Sequence, residues 1–205
     1  MTTPTALIHV VDDDESLRTA LLRLLDAAGF KARGYASVGD FLLQPPPDGP
    51  GCVLLDVRMP GPSGLDLQAA LLRQGSALPV VFLTGYADVA ASVRAMKAGA
   101  VDFLTKPVER EDLFEALQRA LARDAAARAA RAEAEQLRAA FAALSPREQA
   151  VFDRVVAGQL NKQIADTLGI AARTVKQRAQ MMTKLGVSSA AELGRLAERL
   201  QHLPD

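Results

Sequence analysis

The chain's 205 residues are 49% hydrophobic but only 4% aromatic, with no tryptophan, so mostly Ala, Leu and Val must fill the cores of one large or two small domains. A single cysteine, Cys52, excludes an internal disulfide, and no stretch approaches the ~18 continuous apolar residues of a membrane helix. The formal net charge of zero hides an uneven spread: −3 through Arg123, balanced over 124–144, and +3 from Ser145 onward, which assigns any polyanionic partner to the back of the chain. The opening MTTPTA lacks the basic and apolar regions of a signal peptide; with the lone thiol this predicts a cytoplasmic protein with no membrane partner.

The first predicted strand, LIHVV (7–11), runs straight into DDDE (12–15). Carboxylates so close repel one another, and each loses hydration if it leaves water. Two readings remove the conflict. One aspartate can cap a helix while the others meet the positive end of its dipole. Alternatively a divalent cation gathers them, which requires a third carboxylate from elsewhere. A helical pattern over 15–29 stops at Gly29, and a weak strand, KARGY (31–35), and a short helix (37–43) follow. The proline-glycine connector QPPPDGPG leads to CVLLD (52–56), whose run makes Cys52 a buried structural thiol. Helix (64–75, stop at Gly75), strand PVVFL (79–83), helix (87–99, stop at Gly99), strand VDFLT (101–105) and a helix from near Arg110 complete the series. Strand then helix, five times over, predicts an α/β fold with a parallel, doubly wound sheet covered on both faces.

From Arg110 the helical pattern meets no Gly or Pro until Pro146. At heptad spacing one stripe reads Leu113, Ala116, Ala120, Arg123, Ala127, Ala130, Ala134, Leu137, Phe141, Leu144. It fits either a solvated connecting helix or a close-packed helix pair between two copies of the chain. Beyond it, SPREQAVFDRVVAG opens with Ser145 at the N-cap, Pro146 in the first turn and Glu148 three residues after the cap. Helical patterns over 161–169, 171–186 and 188–200 then make a small all-α bundle.

In a doubly wound sheet, functional groups gather at the carboxyl ends of the strands. Those ends bring Asp12 and Asp13 from the first strand, Asp56 from the third, Thr84 from the fourth and Lys106 from the fifth. Oxygen ligands suit a hard cation such as Mg²⁺. The ammonium and hydroxyl suit an anion held beside it, and a phosphoryl group on Asp56 uses all five residues. Asp56 is then the phosphoacceptor, Asp13 a direct metal ligand and Asp12 one acting partly through water. Lys106 neutralises a phosphoryl oxygen, Thr84 donates to another, and Gly85 leaves room. His9 lies three residues before Asp12, but hard magnesium prefers oxygen, which makes it a strand residue.

The stretches VVDDDE, LLDVRMPGPSGLDL, VVFLTGYAD and AMKAGAVDFLTKP resemble the receiver domain of bacterial two-component response regulators, over roughly residues 5–123. The resemblance implies strand order 2-1-3-4-5, a metal ligand in the Arg58 backbone carbonyl, a cis Lys106–Pro107 bond, and Thr84 and Phe103 as switch residues. It places Arg58 and Tyr86 where the family tunes phosphate lifetime; both are bulky, which predicts slow loss of phosphate.

In the basic back, a helical wheel over 173–185 gathers Arg173, Lys176, Gln177, Gln180 and Lys184 on one face and Val175, Ala179, Met182 and Leu185 on the other. The polar face is either solvated or suited to a DNA major groove, where lysine contacts guanine or phosphate and glutamine pairs with adenine. LSPREQAVFDRVVAGQLNKQIADTLGIAARTVKQRAQMMTKLGVSSAAELGRLA resembles the LuxR-type helix-turn-helix of FixJ- and NarL-like regulators, which implies the DNA reading. The predicted DNA-contacting residues are Lys162, Arg173, Thr174, Lys176, Gln177, Arg178, Gln180 and Lys184. Family members usually carry His at position 178, often followed by Arg; here Arg178 and Ala179 stand there, and Arg178 is expected to extend towards a phosphate. Only Phe141 and Phe152 could stack bases in this region, and both lie on apolar stripes, against an RNA partner.

The sequence therefore predicts a receiver over 1–123, a helical linker over 124–143 and a DNA-binding domain over 144–205. The expected protein is not an enzyme but a transcriptional regulator phosphorylated on Asp56 by a sensor histidine kinase. It binds double-stranded DNA as a homodimer formed on phosphorylation, or held constitutively through the linker helix. The rival is a phosphoryl relay or sink whose tail no longer binds DNA specifically, a reading to which Arg178 and Ala179 give some footing.

Overall fold

Alternation along the strands decides which side chains meet in the first part of the molecule. The computed structural model describes residues 6–44, 49–85, 89–169 and 174–202, the side chains of Thr174 and Val175 excepted. The chain divides into two compact units, Met1–Arg128 and Ala129–Asp205. Unit one holds β1 (Leu7–Val11), α1 (Glu15–Ala27), β2 (Lys31–Tyr35), α2 (Val38–Leu43), β3 (Gly51–Leu55), α3 (Gly64–Arg73), β4 (Val80–Thr84), α4 (Val89–Lys97) and β5 (Asp102–Thr105), then the start of α5 (Arg110–Ala142).

The strands form one parallel sheet in the order β2-β1-β3-β4-β5, as the resemblance implies. Because side chains alternate across a strand, Ile8, Val10, Cys52, Leu54, Val81 and Leu83 face one side and pack with α1 and α5 through Leu21, Leu25, Leu113 and Leu117. Val11, Val53, Leu55 and Phe82 face the other and meet Phe41 of α2, Leu67 and Leu71 of α3, and Ala91 and Ala95 of α4. The central strands β3 and β4 are buried along their whole length, which is why they read as unbroken apolar runs. Both lie within one residue of their predicted bounds. Cys52 is fully buried, and that burial, with Asp124 nearby, pushes its thiol up to about 12.

Unit one reaches past Arg123 because of a contact that the sequence pattern does not announce. The Asp124 carboxylate, 1% exposed, accepts a hydrogen bond from the Gly51 backbone N–H at 3.0 Å and is paired with Arg128 at 2.9 Å. Arg128 also donates to the Gly49 carbonyl. The start of β3 is thereby tied to α5 for one turn beyond its last buried alanine, Ala120.

Unit two contains α6 (Pro146–Val156), α7 (Asn161–Leu168), α8 (Thr174–Lys184) and α9 (Ala190–Gln201). The predicted capping box is present: Ser145 Oγ accepts from the Glu148 N–H at 3.3 Å, and Glu148 accepts from the Ser145 N–H at 2.8 Å. Gly169 ends α7 with φ of 63°, a left-handed turn that glycine adopts without steric cost. The core joins Leu144, Val151, Phe152, Val155, Ile164, Met181, Leu185, Leu193 and Leu196, with Leu137 and Phe141 packed against it. One expectation is corrected here. The inward stripe of α8 is Met181 and Leu185, with Met182 only half-buried and Ala179 exposed. Met181 and Leu185, four residues apart, share one face of α8, and burying that larger pair turns Ala179, about 200° away from Met181, to the outside.

Candidate functional site

Parallel pairing brings four strand ends side by side. Val11 is in register with Leu55, and the Asp56 N–H donates to the Val11 carbonyl at 2.9 Å, so Asp12 and Asp56 leave adjacent strands together. Thr84 is the last residue of β4, and the Lys106 N–H donates to its carbonyl at 2.7 Å just past β5. The Lys106–Pro107 bond is cis.

The acidic residues divide into a helix cap and a cluster of three carboxylates. Asp14 is the N-cap of α1, its carboxylate accepting from the N–H groups of Ser16 at 2.9 Å and Leu17 at 3.0 Å. Asp12, Asp13 and Asp56 can each turn one oxygen into a group whose members all lie within 4.8 Å of one another. Asp12 is buried, Asp56 9% exposed and Asp13 open to solvent. An all-oxygen donor set of this size fits a hard divalent cation, with room for water on the exposed side.

Lys106 sits across this group, its Nζ 2.8 Å from Asp12 Oδ2 and 3.2 Å from Asp56 Oδ2. The remaining Asp12 oxygen, Oδ1, accepts from the Asp14 N–H at 2.9 Å. Burial pushes the Asp56 carboxyl above the usual carboxylate range; Lys106 opposes that rise, and the neighbouring Asp12 charge adds to it. Burial alone would lower the Lys106 ammonium, but its bonds to Asp12 and Asp56 outweigh that and raise it, so the amine stays charged. Thr84 is 1% exposed beside the cluster, and the Arg58 N–H approaches Asp56 Oδ1 at 3.4 Å. Phe103 on β5 is half-buried, its ring 5.8 Å from that of Phe82. Among the described residues, a Cβ on Gly85 would meet Lys106 Cδ at an ordinary 3.9 Å. Tyr86 lies outside the described residues.

His9 is not part of the cluster. It is buried in β1, its Nδ1 3.0 Å from the Tyr35 hydroxyl and its ring edge-on to Phe41. Two supports of the site were not among the predicted residues. Gly64, the first residue of α3, has no side chain because a Cβ there would sit 2.1 Å from the Asp56 carbonyl; a glycine opening a helix after a strand end is its only signal. Arg18, on α1, donates to the Asp12 carbonyl at 2.6 Å, a partnership that spacing does not reveal.

In unit two, Lys162, Lys176 and Gln180 are exposed on α7 and α8. Gln177 is half-buried, and its amide oxygen is buried without a partner among the described residues. Arg178 does not extend freely outward: it is half-buried and donates to Asn161 Oδ1, at the start of α7, at 2.6 Å. Lys184 pairs with Glu148 at 2.7 Å, which ties the end of α8 to the first turn of α6. Arg173 and the Thr174 side chain lie outside the described residues. The second helix of the α7–α8 pair thus offers an outward polar face carrying Lys176 and Gln180, the arrangement by which a helix-turn-helix meets a major groove.

The comparisons agree with both halves. Residues 8–118 match the response regulator receiver domain family, and residues 142–197 match the bacterial regulatory proteins of the luxR family. Nodulation protein W of Bradyrhizobium diazoefficiens is 43% identical over 196 residues, covering 95% of this chain and 86% of that protein. The transcriptional regulatory protein FixJ of the same organism is 42% identical over 199 residues, 97% of each chain. Among solved structures, the response regulator StyR matches with a TM-score of 0.86 at 41% identity, over 95% of this chain and 99% of that one. Full-length FixJ from B. japonicum matches with a TM-score of 0.59 at 40% identity, over 98% and 100%. On this fold, this site and these relatives, the chain belongs to the two-component response regulators that join a receiver domain to a LuxR-type helix-turn-helix, and it is a phosphorylation-controlled DNA-binding transcriptional regulator.

Proposed function

We propose that Asp56 is the phosphoacceptor, that Asp12, Asp13, Asp56 and the Arg58 carbonyl hold Mg²⁺, and that Thr84 and Lys106 receive the phosphoryl oxygens. The observation that carries this reading is the convergence of three carboxylates and one ammonium, with the buried Thr84 ending the neighbouring strand. An Asp56 oxygen forms the new bond to phosphorus as the P–N bond of a sensor kinase's phosphohistidine breaks. The electron pair leaves with the imidazole nitrogen, which takes its proton from water. Bound Mg²⁺ would supply neutralisation of the charge that gathers on the phosphoryl oxygens. Lys106, freed from bridging Asp12 and Asp56, turns to one of those oxygens, and the Thr84 hydroxyl donates to another. Inward movement of Thr84 draws Phe103 with it and changes the surface made by α4 and β5.

That surface is the proposed homodimer contact, formed on phosphorylation. The dimer places two α8 helices on double-stranded DNA whose half-sites lie about one helical turn, ~34 Å, apart. Lys162, Arg173, Thr174, Lys176, Gln177, Arg178, Gln180 and Lys184 form the DNA-facing set, Arg178 and Lys184 acting from their protein contacts. The proposed boundaries are a receiver over 1–123, a linker over 124–143 and a DNA-binding domain over 144–205. No helix among the described residues is long and apolar enough to cross a membrane, and the proposed site of action is the cytoplasm. The luxR-family match over 142–197 favours this reading over a relay or sink.

The test is Asp56→Asn, which keeps shape and removes the nucleophilic charge. With radiolabelled acetyl phosphate and Mg²⁺, the variant is expected to take up no label, whereas wild type is labelled and shifts its target DNA at lower concentration. Undiminished labelling of Asp56→Asn would falsify the assignment.

A further inference from the structure

Asp12 is held from every side. Its N–H donates to the Tyr35 carbonyl at 3.1 Å, Oδ1 accepts from Asp14, and Oδ2 meets Lys106. Its carbonyl lies one residue beyond β1 and has no place in the sheet's ladder. Arg18 fills that position: from the first turns of α1 its guanidinium folds back and donates to the carbonyl oxygen at 2.6 Å. The bond is charge-assisted, and its choice of acceptor matters. By gripping the main chain, Arg18 fixes Asp12 and the turn into Asp13 without using any carboxylate oxygen.

The stem of Arg18 needs space, and Gly34 provides it. A Cβ on residue 34 would stand 3.2 Å from both Arg18 Cγ and Cδ and 3.0 Å from Leu22 Cδ1. Gly34 lies inside β2, where glycine weakens a strand unless another group approaches closely. Here the approaching groups are the Leu22 methyl and the Arg18 stem.

We infer that Arg18 is a positioning residue for the cation site, holding Asp12 and Asp13 at the spacing Mg²⁺ requires, and that Gly34 keeps its path open. The inference rests on the reading of Asp12, Asp13 and Asp56 as the cation's carboxylates. Partners that orient metal ligands without touching the ion commonly change affinity 10–100-fold when removed.

The experiment titrates the full chain with Mg²⁺ alone by isothermal calorimetry, alongside thermal unfolding in EDTA. Asp13→Asn serves as the control on the underlying reading: if it binds Mg²⁺ like wild type, the cation site itself is misplaced. Arg18→Met keeps the apolar stem and loses the guanidinium; its dissociation constant is expected to rise about tenfold or more. Arg18→Lys restores a donor on a stem of similar length and is expected to recover most of that loss. Gly34→Ala is expected to weaken binding in the same direction, with the Arg18→Met/Gly34→Ala pair no worse than Arg18→Met, since both act through one contact. Wild-type Mg²⁺ affinity in Arg18→Met while Asp13→Asn has lost it would overturn the role of Arg18. So would an unfolding midpoint lowered with affinity unchanged, full additivity in the pair, or no recovery in Arg18→Lys.

Discussion

His9 shows how a single residue can be chemically conspicuous and still serve the fold. It sits on β1 three positions before Asp12, yet its ring packs on Phe41 and its Nδ1 meets the Tyr35 hydroxyl. Burial, assisted by the Arg33 charge, lowers its pKa to about 4 from an ordinary 6.5. Between those values the unfolded chain takes up a proton that the folded ring refuses, so stability falls as pH drops through that window and this contribution levels off below it. The group is 2% exposed, and its contribution between pH 7.5 and pH 5 is about 2 kcal/mol. His9→Gln keeps a partner for the Tyr35 hydroxyl and does not titrate. Urea unfolding at the two pH values is expected to show a loss in wild type exceeding that in the variant by about this amount. Equal losses would mean that the imidazole is already charged in the folded protein.

At the scale of elements, the parallel sheet was legible because β1, β3 and β4 are buried on both faces and flanked by Gly-terminated helical patterns. β2 was the weak one, and the reason is Gly34: its missing side chain lowers strand propensity so that Arg18 can pass. The five strand-end residues were legible too, since parallel topology delivers every carboxyl end to one edge. What periodicity cannot carry is a polar pairing across a long stretch of chain, such as Asp124 with Gly51, 73 residues apart, or Lys184 with Glu148, 36 apart. The second pair changes what α8 is expected to do. Glu148 accepts from Lys184, from the Ser145 N–H and from Ser145 Oγ, and these bonds, Lys184's foremost, hold its carboxyl at about 2, below the usual 4.5. Lys184 is thereby half committed to holding α8 against α6, whereas Lys176 is exposed. Replacing each with alanine is expected to separate the roles. Lys176→Ala should lower the slope of log affinity against log salt by about 1 per half-site. Lys184→Ala should change that slope less and cost the protein about 1 kcal/mol in unfolding. A full unit of slope lost in Lys184→Ala, with stability unchanged, would reassign it to a phosphate.

For the whole molecule the open choice is between assembly on phosphorylation and a standing dimer through the linker. Most of the ten-residue heptad stripe is already spent within the chain. Leu113, Ala116 and Ala120 are buried in the receiver's own core, and Leu137, Phe141 and Leu144 belong to the core of unit two. Arg123 donates to the Gly99 carbonyl at 3.0 Å, which leaves only Ala127, Ala130 and Ala134 for a second copy. Three alanines bury too little apolar surface to hold two helices together. α4 offers more: Ala91 and Ala95 face inward, while Val89, Val93 and Met96 present an outward stripe at 77%, 45% and 46% exposure. Large apolar side chains aligned on one exposed face mark a contact surface more often than chance scatter does. Val93→Asp and Met96→Asp together are therefore expected to leave Asp56 labelling intact and the receiver folded, because both side chains already meet water. Sedimentation of the wild type should show a monomer that becomes a dimer when beryllofluoride occupies the acidic site, and the double variant should remain a monomer. Its affinity for a two-half-site DNA should fall about 100-fold or more, since the second half-site no longer binds as an intramolecular event. A wild type that sediments as a dimer with and without the mimic, and a double variant that does the same, would return the contact to residues 113–144 and reject assembly through α4.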